Sequence, residues 1–405
     1  MLAIDSMAPF TKPETSPFTP GQPVPSDLFV GREEQVRALF ERARGARGGR
    51  LHVGFLVGER GIGKSSLARL ATRLGEQELG LLALYVGLGG AGSPEDVVQR
   101  TFARLANVAR TEPWWDRIKA LFGERIRKVG LFGASVEFAP RPEELVSLTN
   151  RFDAAIREVI KALPEHRRGL FVVLDDINGL ADSPAFATWL KNLVDTVAFD
   201  GGDFPVFLLF AGSDRIRRRV VRQHESVARI FDLVDLPPWS ADDAGDFFRR
   251  AFASVGIEAE PDALQSLVTF AGGLPVLAHE IGDAAFRGAT RSSISEADAR
   301  RAIVAAADIV GRKYVEVQVL DRIRSGRYRA LLRTIPEIAP LGGFKRSDLA
   351  RHLTREERSV LDNSLREMVK LGMLERLPDE GPGNYGFVQG LHFPYFLTQA
   401  FQPGK

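Results

Sequence analysis

Apolar residues along this chain follow two rhythms. Five short runs are apolar at almost every position: Leu51–Val57, Leu81–Val86, Leu170–Leu174, Val206–Phe210 and Ile230–Leu236. Runs of that length, rich in Val, Leu and Phe, are the pattern of strands covered on both faces. Between them the apolar positions recur at helical spacing, as in SSLARLATRLGEQ after the first run and PEDVVQRTFARLANVA after the second. Strand and helix in alternation predict an α/β fold built on a five-stranded parallel sheet. Extra material lies between the second and third strands. There, Lys128–Pro140 (KVGLFGASVEFAP) reads as a small hairpin set before the helix PEELVSLTNRFDAAIREVI.

The rhythm changes twice more. Residues 1–26 carry six prolines and read as an extended arm, with order expected from about Asp27, where DLFVGREEQVRALFERA starts an amphipathic helix. Beyond Pro237-Pro238 the pattern is helical only. SADDAGDFFRRAFASVG opens with a Ser cap and early acids, and PDALQSLVTFAGG has Pro in its first turn and Gly at its end. The remainder, 311–405, reads as three helices and a hairpin, the layout of a winged helix. Its third helix opens at TREE, with Thr354 and Glu357 in capping-box spacing. The expected domains are thus an arm (1–26), an α/β core (27–236), a helical domain (237–310) and a winged helix (311–405).

Composition narrows the chemistry. The chain has 405 residues, 44% hydrophobic and 26% charged, as in an ordinary globular protein. It has no cysteine, which removes disulfides, thiol nucleophiles and thiolate metal sites, and its six histidines are scattered without ligand spacing. No apolar run has membrane-spanning length and no secretory leader is visible, so the expected address is cytoplasmic, with no membrane partner. The net charge of +2 announces no nucleic-acid binder.

The sharpest signal is GERGIGKS, Gly58 to Ser65, lying between an apolar strand and an Ala/Leu-rich helix. Glycines at those positions let backbone N–H groups of Glu59, Arg60, Gly61, Ile62, Gly63 and Ser66 turn toward phosphate oxygens, and the helix adds its positive N-terminal end. Lys64 would reach the β- and γ-phosphates, and the Ser65 hydroxyl would ligate magnesium. The bound species expected are therefore ATP and Mg2+. The partner motif is GLFVVLDDINGL, an apolar strand ending in two carboxylates. Asp175 would hold magnesium through water, and Asp176 would be the base that orients the attacking water. One further strand, Leu81–Val86, precedes the acidic strand in sequence, which leaves the latter free to lie beside the phosphate-loop strand in space.

With these motifs the chain resembles the AAA+ ATPases, and within them the group linking origin-recognition initiators, transposon target-selection ATPases and signalling (STAND-type) ATPases. The resemblance covers about residues 27–400. Phe29-Val30-Gly31-Arg32 matches the box that helps seat adenine, which implies a nucleotide-binding role for Gly31 and Arg32. PVFLLFAGSD matches the fourth strand, with Ser213 at the sensor-1 position. Arg229 stands where relatives carry an arginine finger, and GGLPVLAHEIGDA matches the lid's sensor-2 helix, with Pro275 at its start. Origin initiators usually carry Arg in that helix, whereas this chain reads Gly-Leu-Pro, as signalling ATPases do. Asp176 also replaces the commoner Glu and is one methylene shorter. Both departures fit slow hydrolysis.

The basic runs leave the partner open. Arg42–Arg50, Arg215–Arg222 and Arg322–Arg329 would either converge on a phosphate backbone or remain solvated helix faces. The third helix of the winged domain mixes Arg358, Asn363, Arg366 and Lys370 with Glu356, Glu357, Asp362 and Glu367, and its wing carries Asp379 and Glu380. Three functions follow. The preferred one is a slow ATPase of the AAA+/STAND type working as a nucleotide-driven switch coupled to protein partners or DNA. The second is a loader or target selector that forms a homo-oligomer on double-stranded DNA. The third is a nucleotide-binding scaffold without turnover.

Overall fold

The computed structural model describes residues 13–22, 24–25, 28–129, 135–311, 343–371, 373–377 and 381–387, with 328, 331, 334, 335 and 338 described singly. The chain divides into two compact units, 32–237 and the remainder, 1–31 with 238–405.

In the first unit helix α1 (Glu33–Arg47) precedes strand β1 (Leu51–Val57), and α2 (Lys64–Leu79) leads to β2 (Leu81–Gly87). Helix α1 starts later than the sequence suggests. Gly31 and Arg32 both adopt left-handed backbone angles (φ 62° and 71°), which no helix can continue through. Helices α3 (Pro94–Ala109) and α4 (Trp115–Phe122) follow, then the expected hairpin, β3 (Ile126–Val129) and β4 (Ser135–Phe138), paired antiparallel. The hairpin is no loose appendage. Phe138 is buried beside Phe102 and Phe122, with ring centroids 5.5 and 5.2 Å away. Helices α5 (Pro142–Asn150) and α6 (Phe152–Ala162) lead to β5 (Gly169–Asp175). Helix α7 (Pro184–Asp200), β6 (Val206–Gly212), α8 (Asp214–Gln223) and β7 (Asp232–Asp235) complete the unit.

The five long strands form one parallel sheet in the order β2-β5-β6-β1-β7. This corrects one expectation. The acidic strand β5 does not lie beside β1, because β6 separates them. The fifth strand is also shorter than its apolar run, since Glu225–Arg229 closes into a 3-10 turn and Ile230 keeps helical backbone angles.

In the second unit α9 (Ala241–Ala253) begins at a Ser240–Asp243 capping box, α10 (Pro261–Ala271) ends at Gly272, and α11 (Pro275–Gly288) and α12 (Glu296–Val310) follow. The segment is not purely helical. Two short strands, β8 (Glu258–Ala259) and β9 (Ser293–Ile294), pair in parallel. The third described stretch carries β10 (Phe344–Lys345), α13 (Arg346–His352), α14 (Arg355–Lys370) and the hairpin β11 (Leu374–Arg376) with β12 (Asn384–Phe387), the order in the sheet being β10-β12-β11. Thr354 and Glu357 form the expected capping box. The expected first helix of this stretch and wing residues Asp379 and Glu380 lie outside the continuously described residues. Among the described residues no helix is long and apolar enough to cross a membrane.

Ordered contacts start well before Asp27. Phe18 is 3% exposed, with its ring 5.0 Å from Phe252 and 5.7 Å from Phe247 in edge-on contact. Gly282 makes the room: a Cβ there would lie 2.2 Å from Cε1 of Phe18. The next residue closes the seat, its Thr19 N–H donating to His279 Nδ1 at 3.0 Å. Burial pushes the His279 imidazole down to about 4, so the ring is held neutral as that acceptor. The Pro-rich arm is therefore pinned to the helical segment that lies 260 residues further along the chain.

Two outcomes follow for stability. Phe18→Ala empties the seat and Gly282→Val blocks it, and the first should cost about 3–5 kcal/mol, seen as earlier unfolding in denaturant followed by circular dichroism. His279 has a folded pKa below its unfolded one. Its contribution is thus complete above about pH 6.5 and is lost as pH falls toward 4. His279→Gln should flatten that part of the stability–pH curve; an unchanged acid limb would show that other groups carry it.

Candidate functional site

Strand β1 ends buried, and the chain must turn sharply into α2. Gly58 permits this because a Cβ would lie 2.7 Å from Ile62 Cγ2 and 3.2 Å from Leu236 Cβ. Gly63 caps the helix with φ 96°, which a side chain would resist. The Gly58 N–H is held by the Gly212 carbonyl at 3.1 Å, tying the loop to the end of β6. Ile62 is buried beneath the loop, while Glu59 and Arg60 are exposed on it. Gly61 lies between them, and Ser66 follows Ser65 on the first turn of α2.

Lys64 curls back over this loop. Its Nζ donates to the carbonyls of Gly58 at 2.8 Å and Glu59 at 2.7 Å. Burial lowers its pKa from the ordinary lysine value, and the nearby Asp175 carboxylate partly offsets that. The hydroxyl of Ser65 donates to Asp175 Oδ2 at 3.0 Å, so the two residues expected to share a cation are already in contact. Oδ1 of Asp175 accepts the N–H of Asp176 at 2.9 Å. Asp176 is exposed and takes a left-handed conformation, φ 61° and ψ 55°, which Asp tolerates better than most residues. Its Oδ1 accepts from the Asn178 side-chain amide.

Strand register explains the convergence. Asp175 is opposite Gly87 on β2 and Ala211 on β6, and Val57 on β1 is opposite Gly212. All four strands thus finish on one line, at the carboxyl edge where ligands of parallel sheets bind. Ser213 follows directly on that line. Its side chain caps α8 by accepting the Ile216 N–H at 3.4 Å, a structural role that leaves its hydroxyl proton free to be donated. Arg229 lies elsewhere. It ends the 3-10 turn before β7, is exposed, and its side chain makes no hydrogen bond or ion pair among the described residues. Arg32 opens the first unit and is 9% exposed. Gly31 and Pro275 belong to the second unit, where Gly31 abuts Asp243 and Pro275 starts α11.

Three neighbours of the site were not singled out by sequence reasoning. Tyr85 donates its hydroxyl to Asp175 Oδ2. Asn178 holds Asp176. Arg100 donates to the carbonyls of Gly87 at 3.1 Å and Gly89 at 2.9 Å, fixing the loop after β2. Only Tyr85 had a usable signal: it sits two residues before the end of a strand that precedes the acidic strand.

The oxygen donors suit magnesium, since a hydroxyl and a carboxylate within hydrogen-bonding distance are the hard ligands it takes alongside phosphate.

Comparison with known proteins agrees with this geometry. No curated protein sequence matches the chain. Among solved structures, the ORC2 protein of Aeropyrum pernix matches in its ADPNP-ADP complexes with a TM-score of 0.57 at 15% identity, over 93% of each chain. Its ADP form matches with a TM-score of 0.52 at 15% identity, over 94% of this chain and 97% of that one. At such identity the likeness is one of fold. Residues 28–208 match the AAA ATPase domain family. The chain therefore has the P-loop AAA+ fold, shared with the Aeropyrum pernix ORC2 protein, and over residues 28–208 it is similar to the AAA ATPase domain family.

Proposed function

We propose that this protein is a slowly hydrolysing ATPase that works as a nucleotide-driven switch on a protein effector. One observation carries the reading: Lys64 is folded over the loop's own carbonyls while Ser65 already touches Asp175. A triphosphate entering the loop offers oxygens that replace the Gly58 and Glu59 carbonyls around the ammonium, so binding exchanges hydrogen bonds rather than creating an unpaired charge. The backbone N–H groups of residues 59–66 and the α2 terminus add fixed positive dipoles. Magnesium, when bound beside Ser65 and Asp175, neutralises charge on the phosphate oxygens. Asp176 orients the attacking water and accepts its proton, and Ser213 donates to the γ-phosphate. The tie from Asn178 keeps Asp176 partly engaged, which supports slow turnover.

The charge pattern favours a switch over a DNA loader. On α8, Arg217 and Arg218 both pair with Asp214, and Arg219 pairs with Asp182. On α14, Lys370 pairs with Glu367 at 3.7 Å and Arg366 is bound to Asn363, while Arg346 holds Asp362 at 2.6 Å. Cations already answered by their own chain have less to gain from a phosphate backbone. The last domain, read as a winged helix, then serves as a protein-facing module. The run Arg322–Arg329 lies outside the described residues apart from Tyr328.

Lys64→Ala should weaken binding of a fluorescent ATP analogue by about 10–100-fold while the circular dichroism spectrum is unchanged. Wild-type affinity would sink the site. Asp176→Asn keeps a residue tolerant of the left-handed backbone, so ATP should bind normally and turnover should drop by about 10²–10⁴-fold. Unchanged turnover would mean that another acid serves as base.

Arg229 supplies the assembly test. As a finger it would act on the γ-phosphate of a second copy, so turnover per subunit should rise with protein concentration and fall by orders of magnitude in Arg229→Ala. Dilution-independent turnover would leave an intramolecular switch. Duplex DNA binding that weakens steeply with salt, at a slope of several phosphates, would instead favour the loader.

A further inference from the structure

The carboxylate that ends β5 has a third partner that the nucleotide reading does not use. Strands β2 and β5 pair in parallel with Tyr85 opposite Val173 and Gly87 opposite Asp175. Alternation puts Tyr85 and Asp175 on the same face, one pleat apart, and the length of a tyrosine covers that offset. The phenol donates to Asp175 Oδ2, the oxygen that also accepts from Ser65 at 3.0 Å. The other oxygen is taken by the Asp176 N–H at 2.9 Å. Helix α2 holds the ring from above: Arg69, one turn beyond Ser65, has its guanidinium carbon 5.3 Å from the Tyr85 ring centroid.

These three donors are not equivalent once nucleotide is bound. Ser65 sits on the helix that meets the phosphates, and its oxygen is the one offered to a cation. Tyr85 has no such second duty. It stands behind the carboxylate, on a different strand, and a phenol can only donate to a carboxylate. We propose that Tyr85 is the positioning residue of the metal site, holding the Asp175 carboxylate in the orientation in which it would serve magnesium. The inference rests on the nucleotide–magnesium reading of Ser65 and Asp175. Outer partners of this kind fix the orientation of a ligand, and their loss commonly costs 10–100-fold in metal affinity.

The test is a magnesium titration, which a merely structural tyrosine would not move. Wild type, Tyr85→Phe and Asp175→Asn are each held with a fluorescent ATP analogue, and Mg2+ is raised from an EDTA-buffered start while bound fluorescence is read. Tyr85→Phe should need about 10-fold more Mg2+ or above for half-saturation. Its metal-free binding and its thermal unfolding should match wild type, because phenylalanine keeps the ring under Arg69. If Tyr85→Phe follows the wild-type curve while Asp175→Asn shifts, the role given to Tyr85 is wrong and the metal site stands. If neither variant shifts, the metal site itself is misread and the inference falls with it. Equal weakening with and without Mg2+ would make Tyr85 a general packing residue and would also overturn the proposal.

Discussion

The site depends on strand ends finishing level with one another. A parallel sheet whose strands stop at different heights would leave Asp175 stranded from the loop, since β6 stands between the acidic strand and β1. Levelling is enforced by burial. Strands β5 and β6 are buried along six consecutive positions each, so a one-residue slip would turn packed side chains to the wrong face. Aromatic contacts such as Phe171 against Phe207, 4.6 Å between centroids, add to the lock. Precision at the carboxyl edge is thus inherited from a core that contains no reactive group.

The parts of this arrangement that were legible in the sequence are those fixed by local chemistry. The run Leu51–Val57 is a strand to the residue, because an apolar heptad bounded by Arg50 and Gly58 leaves little choice. The loop was legible because only glycine fits where Gly58 and Gly63 lie. Ser240 and Thr354 cap their helices as short-range rules anticipate. What escaped were relations between distant elements. Nothing within the acidic strand states that β6 comes between it and β1. The β8–β9 pair joins two-residue segments too short to carry a period. Tyr85 reads as one more apolar strand position until its register with Asp175 is known.

Arginine usage shows the same limit. A run such as Arg-Ile-Arg-Arg-Arg looks like a phosphate-seeking surface in one dimension. Asp182, which answers Arg219, lies 37 residues earlier. Charge counted along a segment therefore overstates the field it presents, because the fold brings counter-charges from other elements. Ionic strength should consequently have less influence on this face than the count of arginines suggests.

The seat of Phe18 has a consequence for how the chain is made. Synthesis proceeds from the amino end, so this phenylalanine leaves the ribosome long before Phe247, Phe252 and Gly282 exist. Until they emerge, a large apolar ring has no home. Prolines at 13, 17 and 20 resist helix and sheet alike, which keeps the waiting segment from pairing with the wrong strand. Residues near the start of the polypeptide are in this way seated only by residues near its far end, and the α9–α11 helices gain their full packing only once both ends of that 260-residue loop have met.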